Sequence, residues 1–116
     1  MSEMVEVSAI VRLEMLDRVV RTLKECGVPR LTISHVHSIG AGMDPASKKF
    51  SLEEGSAYTE KARVCFICDA ERAEMFTELI AHAARTGQRG DGIVSVKPVL
   101  GVTKIRSGAT GLEALN

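Results

Sequence analysis

The stretch "ARTGQRGDG", Ala84 to Gly92, sets three glycines, two arginines and one aspartate between an apolar helical pattern and the β-branched run that starts at Ile93. Glycine reaches positive φ and lets a backbone approach a ligand closely. Successive N–H groups in such a turn converge into an anion-binding concavity. Arginine adds a forked donor that matches phosphate oxygens. The chemistry on offer is phosphate binding, and the plainer alternative is a helix cap at Gly87 and a turn at "GDG". A second pair of cations, Lys104 and Arg106 in "VTKIRSG", stands two positions apart. In an extended segment they share a face and suit one anion.

Other reactive side chains make weaker patterns. His35 and His37 share a strand face, but no third ligand stands at a definite spacing, so they read as a structural or solvated pair. Cys65 and Cys68 form a C-x-x-C inside the apolar run "ARVCFICDA". In a strand that offset points the thiols to opposite faces, which favours core thiols over a metal or redox pair. An odd number of cysteines, three, argues against a disulfide scaffold. Asp91 is the one clear carboxylate near the glycines.

These residues need a scaffold. "MVEVSAIV" alternates with period two, placing Val5, Val7, Ala9 and Val11 on one face of a strand. "LEMLDRVVRTLKECG" carries a helical stripe of Leu13, Leu16, Val20 and Leu23, and Gly27 ends it. "LTISHVHS" reads as a second strand. From Ile39 to Lys61 periodicity lapses; a loop that long in a compact domain is usually functional or disordered. "ARVCFIC" is a third strand. Asp69 caps a helix from about Ala70 to Arg85, with Phe76, Leu79, Ile80 and Ala83 buried. "IVSVK" is a fourth strand, "VLGVTKIRSG" an extended edge segment, and Ala109 to Asn116 a weakly structured tail. The order βαββαβ predicts an α+β ferredoxin-like sandwich with both helices on one face. Val5, Val7, Val94 and Val96 are read as adding to a sheet apolar on both sides, which calls for a homo-oligomer.

Composition narrows the class. At 116 residues the chain is one domain, 1–116. Fifteen basic residues balance fifteen acidic ones, so no broad electrostatic footprint for nucleic acid exists. Aromatics are only 3%, too few for base stacking by an RNA-recognition sheet. No apolar run approaches the roughly 18 residues of a membrane helix. Glu3 and Glu6 interrupt any signal-peptide core, so a cytoplasmic protein is expected.

Taken together, "RTGQRGDGIVSVKPV" after an apolar helix, a long loop opening at "IGAG", and a terminal "TKIRSG" resemble the PII signal-transduction family over Met4 to Ser107. The resemblance implies a homotrimer with a T-loop at about 39–61, a B-loop at about 86–92 and a C-loop at about 99–108. It implies adenine nucleotides, ADP, AMP or ATP, as effectors in the clefts between subunits, and a target protein contacted by the T-loop. Carried over by position, the nucleotide-binding set is Ile10, Thr32, Ser38, Ile39, Gly40, Lys61, Ile67, Arg89, Gly90, Asp91 and Gly92, with Lys104 and Arg106 from the neighbour. Thr32 would stand near the adenine and Lys61 would face phosphate.

Three departures bear on the ligand. Gly42 stands where the family's T-loop glutamine is expected, which speaks against ordinary 2-oxoglutarate sensing. Ile93 replaces the basic residue after "GDG", and Lys104 replaces an arginine. Each weakens the hold on the outermost phosphates more than on the adenine, so the expectation is a flat preference or one tilted toward ADP and AMP. Divergent members of the family respond to inorganic carbon, including a carboxysome-associated branch. A bicarbonate site would use Gly40, Ala41, Gly42, Lys61 and Arg106. A slow ATP or ADP hydrolase is the enzyme-class alternative to a regulator that works by binding. Tyr58, the only tyrosine, is off the position of the family's modified tyrosine in an ungapped comparison, where Glu54 falls. No metal is expected.

Overall fold

The computed structural model describes residues 3–40, 48–51 and 56–116. Strand β1 is Met4–Arg12, helix α1 Leu16–Glu25, β2 Thr32–Ser38, β3 Lys48–Ser51, β4 Ser56–Asp69, α2 Ala73–Ala84 and β5 Gly92–Val99. All pairings are antiparallel, in the order β2-β4-β1-β5, with β3 pairing on β4. Both helices lie on one face, which is the ferredoxin-like α+β arrangement the pattern predicts.

The core sits between that face and the helices. Val7, Ala9 and Val11 of β1 and Ala62, Val64, Phe66 and Cys68 of β4 meet Val19 and Leu23 of α1 and Phe76, Ile80 and Ala83 of α2. Phe66 and Phe76 meet edge to face with centroids 5.1 Å apart, a favoured aromatic geometry. Local signals operate as expected. Asp69 accepts a hydrogen bond from the Glu71 amide at 3.0 Å. Gly27 takes φ +89 after α1, and the Val28 amide reaches back to the Leu23 carbonyl. Cys68 is buried among the core, and burial pushes its thiol upward. Cys65 lies on the other face, half-buried.

Five expectations shift. In α1, Leu23 is buried as expected, but Val19 takes the place read for Val20, which is only half-buried. Val7 pairs with Val96 and Ala9 with Val94, so those valines belong to the helix-covered side. The open side carries Glu6, Ser8, Arg63 and Ser95 alongside Ile10, Ile67 and Ile93, and Arg63 donates to Ser8 Oγ at 3.0 Å and to Glu6 at 3.4 Å. The tail is packed: Gly111–Leu115 forms a 3-10 helix and Ala114 is buried. Residues 103–110 fold back on themselves through a Thr103–Thr110 bridge rather than running extended. Finally, β4 begins at Ser56, so the far arm of the segment read as aperiodic is strand. Ala41, Gly42 and Glu54 lie outside the described residues.

Candidate functional site

Register places the glycine turn at one end of the sheet. Gly92 pairs with Val11, and Arg12 pairs with Lys61. Ser38 pairs with Thr59, so the start of the long segment that follows β2 is at this same end. Residues 86–92 therefore form a lid over the ends of β1 and β4.

The lid is held from within. Asp91 accepts from the Thr86 amide at 2.8 Å, the Gly87 amide at 2.9 Å and the Thr86 hydroxyl, and from Arg12 Nε at 2.9 Å. Burial alone raises this carboxyl. The hydrogen bonds from Thr86, Arg12 and Gly87 outweigh it and hold the group well below the usual carboxylate range. Arg12 also donates to the Arg89 carbonyl at 2.6 Å. Lys61 donates to the Gly90 carbonyl. Arg12 is 5% exposed and Lys61 4%, and long cations are rarely so buried unless paired.

Lys61, Arg89, Gly90, Asp91 and Gly92 are thus brought together as the sequence predicts, though Lys61 grips the loop itself. Ile10, Gly92 and Ile93 line a cavity of about 310 Å³ between the loop, β5 and the end of α2, with Arg85 at its wall. Ser38 is half-buried, and Ile39 and Gly40 are exposed. Arg12 was not singled out by sequence. Its partner Asp91 is 79 positions away, and a lone arginine closing a strand looks like a solvated end.

The other predicted residues gather at the opposite end. β5 runs antiparallel to β1, so Val99 lies beside Met4 and the segment after it is a full strand length from Gly92. There Thr32, Ile67 and Lys104 line a cavity of about 410 Å³ with Glu6, Arg30 and Cys65. Lys104 and Arg30 both donate to the main-chain oxygen of Asn116. Arg106 is exposed on the turn. Within one chain the predicted residues therefore fall into two groups a strand length apart, and the bicarbonate set that joins Lys61 to Arg106 is not assembled within it. His37 stacks on Tyr58 with centroids 4.0 Å apart, which places the tyrosine in β4 rather than at a loop tip. Among the described residues no group of three or more metal-ligating side chains occurs, and no helix is long and apolar enough to cross a membrane.

The depressed Asp91 carboxyl has a pH consequence. Its contribution to stability is full above the ordinary carboxylate pKa of about 3.9 and is lost only as pH falls toward the lower folded value. Asp91→Asn is expected to cost about 2 kcal/mol at neutral pH, as charge-assisted hydrogen bonds do. Denaturant unfolding across a pH series should show that gap constant above about pH 5 and narrowing below about pH 4. A gap that grows on acidification would contradict it.

Comparison with known proteins gives one consistent result. The family model described as "P-II: Nitrogen regulatory protein P-II" matches residues 4–109. The chain is 39% identical over 114 residues to Nitrogen regulatory protein GlnK2 of Haloferax mediterranei, covering 94% of this chain and 89% of that one. It is 32% identical over 112 residues to Nitrogen regulatory protein P-II of Nostoc punctiforme, covering 97% and 100%. The crystal structure of Arabidopsis thaliana PII bound to citrate superposes with a TM-score of 0.79 at 27% identity, covering 97% of this chain and 92% of that one.

Proposed function

Because the chain belongs to the nitrogen regulatory protein P-II family of signal-transduction proteins, we propose that it is a cytoplasmic homotrimer that binds adenine nucleotides between subunits and signals through its T-loop. The observation that carries this reading is the separation of the two half-sites. The glycine loop with Arg12 and Lys61 stands at one end of the sheet, and Thr32, Lys104 and Arg106 at the other. In a ring of copies the far end of one protomer meets the near end of the next, as a heterologous cyclic contact requires. Exposed Ile39 and Ile93 at one end and Leu100 and Ile105 at the other are the apolar surface such a contact covers. That a solved relative holds citrate, a polyanion, is in keeping with an anion-binding cleft.

A nucleotide that touches both the glycine loop and the T-loop root favours one T-loop state, and a target protein reads that state. Binding rather than hydrolysis fits the geometry. Asp91, the carboxylate within the loop, already accepts four hydrogen bonds that hold the turn together.

Ile93 is 67% exposed directly after the loop and offers no charge to a terminal phosphate. Calorimetry with AMP, ADP and ATP is expected to show ATP no tighter than ADP. Ile93→Lys should shift the ATP-to-ADP ratio toward ATP by about tenfold, roughly one charge-assisted contact. Wild-type protein that prefers ATP tenfold over ADP would refute this preference.

A further inference from the structure

We propose that Arg12 is the positioning residue of the anion-binding loop, turning its carbonyls inward so that its amides face the ligand; this rests on reading residues 86–92 as a phosphate site. The argument begins with register. Arg12 and Lys61 are cross-strand partners, so both side chains rise from the same face, side by side. Arg12 reaches the Arg89 carbonyl and Lys61 the Gly90 carbonyl. These are consecutive peptide units.

A trans peptide is planar, with its C=O and N–H on opposite sides. Drawing the Arg89 carbonyl down toward Arg12 turns the Gly90 N–H up. Drawing the Gly90 carbonyl down toward Lys61 turns the Asp91 N–H up. Two successive amides are thereby aimed away from the buried cations and toward the outer side of the loop, the arrangement that makes an anion nest. Gly90 at φ +94 and Gly92 at φ +103 supply the turn this needs.

The guanidinium is suited to this work because it is forked. Its Nε holds the Asp91 carboxylate and its Nη2 the Arg89 carbonyl. Asp91 in turn ties the loop's entry at Thr86 and Gly87. One side chain thus fixes both the start and the crest of the loop. A lysine there supplies a point charge and meets one acceptor well, not two at fixed geometry. A loop tied down by these contacts carries a smaller ordering cost into binding.

The test is Arg12→Lys, which keeps the charge and the apolar stem, with Arg12→Ala beside it. Calorimetry with ADP and with adenosine separates phosphate from base. The expected result is ADP affinity reduced about tenfold or more with adenosine affinity within about twofold. Unchanged ADP affinity overturns the proposal, and so does an equal fall for both ligands, which marks a general structural role. Amide hydrogen exchange of ligand-free protein gives a second readout. Residues 86–92 are expected to exchange faster in Arg12→Lys while α2 keeps its protection; unchanged loop exchange also overturns it. If wild-type protein binds neither ligand, the nucleotide reading fails while exchange still decides the role of Arg12.

Discussion

Gly92→Ala is expected to lower stability by about 3 kcal/mol or more and the melting temperature by about 10–15 °C. Gly92 has φ +103, a region that side chains rarely adopt. Strain of that kind alone costs about 1–2 kcal/mol. Contact decides the rest. A Cβ built at Gly92 would stand 1.7 Å from the Ile10 carbonyl oxygen and 2.8 Å from its carbon. Both are backbone atoms of β1, the strand shared by β4 and β5, so no side chain can swing aside. Relief requires β5 to peel from β1 at Val11, and that movement lifts the glycine loop off Arg12 and Lys61. Gly87→Ala is the matching control. Gly87 also has positive φ, +86, but nothing lies within 4 Å of its Cβ position. It should cost only about 1 kcal/mol. Thermal melts of both variants settle the matter, and equal, small losses would show that the close approach to β1 is not real. ADP titration of Gly92→Ala below its melting point should show weaker binding still.

This glycine was legible in the sequence as part of a turn, and the reason is local. Period-two alternation in β1, the helix-ending Gly27 and the capping Asp69 are each written within a few neighbouring letters. What was not legible depends on register. The pattern says that Val7 and Ala9 share a face, but not which face the helices cover; the pairings with Val96 and Val94 answer that. Arg12 becomes a site residue only because β1 stops where Lys61 lies opposite and the loop folds back over both. Its parity, one step past core Val11, was the sole hint that it leaves the core face. The tail was missed because one buried alanine, Ala114, anchors it, too little apolar pattern to read. The strand at the T-loop root was missed because "SAYTEK" lacks alternating apolar residues, although Thr59 is 1% exposed there.

Mixed assemblies test the shared cleft, with a large expected effect. A double substitution, Lys104→Ala with Arg106→Ala, removes the cations of the far half-site and should weaken ADP binding about 100-fold, two charge-assisted contacts' worth. Asp91→Asn unties the glycine loop and damages the near half-site. Neither parent alone should bind ADP well. Assembled together at equal amounts, each cleft draws its loop from one protomer and its cations from the next. The loop is intact in half the cases and the cations in half, so about a quarter of clefts regain both in random rings. The stoichiometry of tight ADP binding should therefore rise from near zero to about a quarter of the wild-type value, a result calorimetry resolves. A site completed within one protomer behaves differently, because every protomer in the mixture carries one defect and none is whole. No recovery on mixing, in material shown to exchange subunits, would confine the site to a single chain. That outcome conflicts with the sheet itself, whose antiparallel β1–β5 pairing sets Gly92 and Val99 at opposite ends of one strand.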